Sequence, residues 1–142
     1  LPAAIHSSLD LYYLGFDRKQ ARFHSGFGRE QRHSLGGRFF GRRAGWDWDY
    51  EALAQFGRFG SGSILAWTAG TNTGYRFENL RGKPRLGLKA DLASGDRNPL
   101  DQRLGTFNAL FPKGNYFSQA DLLGPYNLMD LHPGISIEVH PR

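Results

Sequence analysis

Between Gln31 and Gly57 the chain spells out the two arms of one amphipathic hairpin. In the second arm Trp46, Trp48, Tyr50, Ala52, Ala54 and Phe56 alternate with Asp47, Asp49, Glu51, Leu53 and Gln55. Strand side chains alternate between faces, so one face of this arm is aromatic and apolar, the other acidic and polar. In the first arm Leu35, Gly37, Phe39 and Gly41 alternate with Ser34, Gly36, Arg38, Phe40 and Arg42. A tight turn at Ala44-Gly45 sets Arg42 opposite Asp47, Arg38 opposite Glu51 and Phe39 opposite Tyr50, with Trp48 covering Gly41. Like then meets like on both faces. A ribbon with one greasy side and one charged side must put each against a different medium.

The same alternation recurs along the chain. Strands are expected at about 5–17, 31–43, 46–57, 64–77, 85–93 and 127–139. In 64–77, Leu65, Trp67, Ala69, Thr71, Thr73, Tyr75 and Phe77 oppose Ala66, Thr68, Gly70, Asn72, Gly74 and Arg76. Pro84 stands just before the next strand, a permitted position for it, where Leu86, Leu88, Ala90 and Leu92 alternate with Arg85, Gly87, Lys89 and Asp91. Ile135, Ile137 and Val139 mark the last. The connections read as medium (18–30), very short (44–45), medium and flexible (GRFGSGS), short (ENLRGK) and very long (94–126). In an up-and-down meander every second connection lies at the same end, so short turns gather at one end and long loops at the other. Outer-membrane barrels show that asymmetry. The expected fold is all-β, an antiparallel meander of about six strands.

Composition closes some routes. With 142 residues the chain has length for one ordinary domain, here 1–142. It does not begin with Met and shows no charged segment followed by an apolar run, so a removed leader or a piece of a longer chain is expected. The absence of Cys excludes disulfides and thiolate metal sites. No apolar run approaches the roughly 20 residues of a membrane helix, but a membrane β-strand needs only about 10 with alternate apolar positions. Aromatics at 14% and 19 Gly favour sheet over helix. The excess of 18 Lys+Arg over 13 Asp+Glu suits any anionic partner, and only its placement discriminates among them.

Two media fit the ribbon. In a soluble sandwich the apolar faces meet across a core; in a membrane barrel they meet lipid and the charged faces line a lumen. The apolar face favours the barrel. Trp46, Trp48, Tyr75 and Phe77 gather toward the short-turn end, Phe56 and Trp67 toward the other, with small Gly37, Ala52, Ala54, Ala69 and Thr71 between. Aromatic girdles at both interfaces suit a barrel, whereas a soluble core fills its centre with Leu, Ile and Val.

Three segments, LDLYYLGFDRKQARF, GWDWDYEALAQFG and SGDRNPLDQRLGTFNALFPKGNYFSQADLLGPYNLMDLHP, resemble the alginate-export family of Gram-negative outer-membrane β-barrels. The run LGTFNALFPKGNYF followed by GPYNLMDLHP is the most specific part, and the likeness covers nearly all of the chain. The family's barrel has many more strands than six. The resemblance therefore implies a portion of a larger transmembrane β-barrel, located in the outer membrane, whose cargo is an anionic uronic-acid polysaccharide. Its partners would be that polymer, the lipid bilayer and a periplasmic export machinery, with no nucleic acid, no cofactor and no enzymatic activity. Six strands alone would leave two open edges and too small a circumference for a pore.

With lipid outside, the lumen-facing set becomes Arg38, Arg42, Arg76, Arg85, Lys89, Asp47, Asp49, Glu51 and Asp91. Rings of Arg and Lys select anions, and guanidinium pairs bidentately with carboxylate. The acidic residues would hold those arginines and keep a polyuronate from binding too tightly to leave. Arg42, Arg43, Arg76, Arg81, Lys83 and Arg85 form a basic mouth at the short-turn end, expected to be periplasmic. The apolar content of the expected extracellular loop, with Phe107, Leu110, Phe111, Tyr116 and Phe117, predicts packing over or into the mouth as a gate or cap. Ser118 starts a candidate helical turn within it.

Competing readings are a soluble β-barrel or sandwich that binds an anionic polymer, a general anion-selective porin and a carbohydrate-active enzyme. The run GFGREQRHSLGGRFFGRR also invites RNA binding, but its strict partner strand argues for a wall. Asp47, Asp49 and Glu51, opposite arginines, look like ion pairing rather than glycosidase carboxylates. The five His lack metal-ligand spacing. Asp91, Asp96 and Asp101 are a weak candidate for holding a cation in the long loop.

Overall fold

The computed structural model describes residues 6–24, 26–96, 98, 100–110 and 127–139. The strands are β1 (His6–Phe23), β2 (Gly26–Arg43), β3 (Trp46–Phe59), β4 (Gly62–Arg76), β5 (Arg85–Ala93), β6 (Arg103–Leu104) and β7 (Leu128–Ser136). They form one sheet in the order β1-β2-β3-β4-β5-β7, antiparallel throughout, with β6 added parallel to β4. The sheet is open, with β1 and β7 at its edges. The expected all-β meander is the observed fold.

The opening hairpin keeps the anticipated register. Arg42 is opposite Asp47, Arg38 opposite Glu51 and Phe39 opposite Tyr50. Trp48 lies over Gly41, where an added Cβ would come within 2.8 Å of its ring. Both turn residues have positive φ, 50° at Ala44 and 86° at Gly45, the pairing that matches the right-handed twist of the flanking strands.

Two connections differ from expectation. Residues 18–23 and 26–30 continue β1 and β2, with a bulge between Arg18 and Ala21, where a dozen-residue link was expected. The GRFGSGS stretch is likewise strand up to Phe59 and again from Gly62, with Gly60 in the turn at φ 56°. Both departures fall at the end away from Ala44-Gly45. The asymmetry expected of loops thus appears largely as strands that run on past the others. Their Gly- and Arg-rich sequence conceals this until one sees what covers it.

That cover is the start of the long connection. β5 pairs with β4 only as far as Thr68, leaving the edge of β4 free beyond it. Arg103 and Leu104 take up that edge beside Ser63 and Ile64. Ser94 is the junction: its hydroxyl bonds the Trp67 amide and the Gly105 carbonyl, and its own carbonyl accepts the Phe107 and Asn127 amides. The positions expected for Phe111, Tyr116, Phe117 and the turn at Ser118 lie outside the described residues, as do Ile5 and His140 to Arg142.

Candidate functional site: the charged face of the wall

The two faces of the sheet are inverted relative to a soluble protein. On one face Leu9, Leu11, Leu35, Trp46, Phe56, Trp67, Leu88, Leu131 and Ile135 stand open, Leu11 at 75% and Trp67 at 49%. This uncovered face is on the order of 1,000 Å², against ~300–600 Å² for the largest patch of a typical soluble monomer. The fully buried large side chains are instead polar: Arg32, Gln55, Glu30 and Ser34, all on the other face.

The uncovered face is banded. At the short-turn end Trp46 packs edge-on against Tyr75 at 5.1 Å and Tyr75 against Phe77 at 4.9 Å. At the far end His33 lies between Tyr13 and Phe56, with the Tyr13 hydroxyl 2.6 Å from His33 Nδ1. Ala52, Ala69 and Gly37 share the middle row. From His33 to Arg43 the strand rises about 35 Å, and a tilt near 40° reduces this to roughly 27 Å of height, close to the ~25 Å apolar band of membrane barrels.

All nine residues expected to line a lumen fall on the opposite, polar face, in successive cross-strand rows. Nearest the short turns is Arg76 beside Arg85. Next come Arg42, Asp47, Gly74 and Gly87; then Asp49, Asn72, Lys89 and His132; then Arg38, Glu51, Gly70, Asp91 and Asp130. The side-chain pairs, however, are not those set by direct opposition. Arg38 donates through Nε and Nη2 to both oxygens of Asp49, at 2.7 and 2.6 Å, rather than to Glu51. Glu51 accepts the Tyr12 hydroxyl instead. Asp47 is held by Arg85 through Nε at 2.8 Å and Nη2 at 2.5 Å, and Arg42 has no ion pair among the described residues.

Glycine explains the exchange of partners. Arg85 belongs to β5 and Asp47 to β3, so the guanidinium must cross β4. It crosses at Gly74, where an added Cβ would collide with it. Tyr12 reaches Glu51 over Gly36 in the same way, and Gly70 leaves room for Asp91, whose Oδ1 would stand 2.8 Å from a Cβ there. Bare backbone lets long polar side chains lie flat across the wall.

Lys89 pairs with Asp91 at 3.2 Å, and Asp130 with His132 at 3.1 Å on the neighbouring strand. Arg76 pairs with Glu138. His6, Arg42, Asp47, Arg76, Glu78 and Arg85 line an open depression of about 500 Å³ at the short-turn end. Among the described residues no three acidic or His side chains are set to hold a metal. The three aspartates weighed for a cation are spread instead over an ion pair at Asp91 and backbone amides at Asp96 and Asp101.

A second polar cluster, at the far end of this face, was not anticipated. Arg32 Nε donates to Glu30 at 2.7 Å, and its Nη1 to Gln55 Oε1 at 2.6 Å and to the Thr106 carbonyl at 3.1 Å. Gln55 also bonds the Asn108 amide and carbonyl, each at 2.9 Å, and the Asn108 side chain reaches Glu30 at 3.1 Å. Beside it Ala21, Ile64, Ala66, Leu104 and Phe107 form a small buried core. Residues 104–108 of the long connection are thereby fastened onto the polar face. Arg32, Ser34 and Gln55 lie in strands expected from the sequence, but Glu30 falls in the expected connection and the partners at Thr106 and Asn108 in the long loop.

A sheet that leaves its apolar side bare at bilayer height and folds its own loop against its charged side is the wall of a transmembrane β-barrel. The chain belongs to the alginate-export family, whose model, described as alginate export, matches residues 4–142. That family is one of outer-membrane β-barrel transport proteins. Comparison with curated proteins and with solved structures gave no match.

Proposed function

We propose that this chain forms part of the wall of an outer-membrane channel that passes an anionic, alginate-like polysaccharide, with Arg38, Arg42, Arg76, Arg85 and Lys89 facing the cargo. The observation that carries the reading is the inversion of the faces: the charged and the fully buried polar side chains share one face, and large apolar side chains stand exposed on the other. Lipid outside and a wet lumen inside suit that arrangement.

The arginines are well disposed for a polymer that must be gripped and released. Each guanidinium carries five N–H donors, and Arg38 and Arg85 use only Nε and Nη2 on their carboxylates. Their Nη1 groups remain for a passing uronate. Asp49 and Asp47 fix the forks in place and compete for them, so no single site holds the chain tightly. Arg42, without a carboxylate partner among the described residues, stands at the short-turn depression where an anionic chain would enter. The fastened segment 104–108 caps the far end.

Charge reversal of Arg38, Arg42 and Arg85 to Glu in the full-length protein tests this. Polymer export and anion conductance in planar bilayers should both fall. Loss of polymer export with unchanged small-anion selectivity would restrict these residues to polymer handling. Unchanged export and unchanged conductance would remove them from the pathway.

A further inference from the structure

The strand extensions carry a second basic feature, on the outer side of the wall rather than the inner. One row beyond Gly15, His33, Phe56 and Leu65, the outward positions become Asp17, Gln31, Arg58 and Ser63, and β6 sets Arg103 beside Ser63. Arg29 and Arg22 take outward positions further along β2 and β1. All four arginines are exposed. Asp17 is the one carboxylate on these strand positions, and Arg29 holds it through Nε at 3.0 Å and Nη2 at 2.6 Å. Arg22, Arg58 and Arg103 have no ion pair among the described residues.

We propose that this outward row docks the phosphorylated headgroups of glycolipid in the outer leaflet. The inference rests on the outer-membrane reading above. It follows from position and charge together. The row continues the lipid-facing side without a break, one residue pair (about 7 Å) past the Tyr13–His33–Phe56 belt. Aromatic belts of this kind lie at headgroup level. The next row therefore meets the anionic groups of the leaflet, where several guanidinium forks can each take a phosphate bidentately. A lumen role is closed to these arginines because they lie on the opposite face from Arg38 and Arg85. Docking here would anchor the long strands where they leave the bilayer, on the side opposite the fastened loop.

The test uses the full-length protein in detergent micelles, with glycolipid retention followed by native mass spectrometry. The probes are a bis-phosphorylated glucosamine glycolipid, its dephosphorylated form and inorganic phosphate. The wild type should retain the phosphorylated glycolipid and not the dephosphorylated one. Arg58→Gln combined with Arg103→Gln should weaken retention roughly thirtyfold, with channel conductance unchanged. Equal retention of both glycolipids by the wild type overturns the proposal without recourse to any variant. So does inorganic phosphate binding as tightly as the glycolipid, which would make the row a free-anion site. A protein that conducts in bilayers yet shows no phosphate preference defeats the docking alone; one that never enters bilayers defeats the channel reading with it.

Discussion

At the scale of single residues, the wall works because glycine sits where long polar side chains must pass. The consequences differ by what an added methyl would meet. At Gly74 it meets only the guanidinium end of Arg85, which can swing away. Gly74→Ala should therefore leave stability within about 1 kcal/mol of wild type, while parting Arg85 from Asp47 and reproducing the conductance change of Arg85→Gln. At Gly57 the methyl meets the backbone of Gln31, and φ is 147°. Gly57→Ala should lower unfolding stability by about 2 kcal/mol or more, read as the guanidinium midpoint in lipid vesicles. If Gly74→Ala proved as costly as Gly57→Ala, the account of Arg85 crossing a bare strand would fail. The Arg38–Asp49 pair is itself about 40% exposed and contributes little to stability, about 0–1 kcal/mol, so its value lies in placing charge.

At the scale of elements, residues 104–108 of the long connection are bound to the wall by polar contacts as well as by the burial of Leu104 and Phe107. Gln55 pairs with the backbone of Asn108 as a neighbouring strand would. Gln55→Ala should cost about 1–3 kcal/mol and expose residues 104–108 to added protease while the β2–β3–β4 sheet stays intact. Arg32→Met should cost more, about 3–5 kcal/mol, because it leaves Glu30 buried with less compensation. Equal protease resistance in Gln55→Ala and wild type would show that the loop is held elsewhere. The strand order, the hairpin register and the face of every expected lumen residue were legible because period-two alternation needs only the local sequence. The partners of Arg38 and Asp47 were not, because a guanidinium reaches diagonally and across a neighbouring strand, where opposition in sequence gives no guide. Residues 18–30 were misread for a related reason. Their inner positions mix Arg18, Ala21, Phe23, Gly28 and Glu30 without a clear apolar period, and Glu30 meets Asn108 only when a segment more than 70 residues away folds onto it.

At the scale of the whole molecule, the open sheet with edge strands β1 and β7 has unpaired backbone along both sides, which barrel closure removes. The central claim is that even and odd positions of one strand meet different media. It can be tested directly because these residues contain no cysteine. Single cysteines placed along β3 from Asp49 to Ala54, in full-length protein otherwise lacking cysteine, can be spin-labelled in lipid vesicles. Their collision rates with oxygen, which concentrates in the bilayer, and with a water-soluble nickel chelate then report the medium at each position. The account predicts oxygen maxima at Tyr50, Ala52 and Ala54 and nickel maxima at Asp49, Glu51 and Leu53, alternating with a period of two. Nickel access at both sets, or protection of Tyr50, Ala52 and Ala54 from both reagents as in a sandwich core, would contradict it.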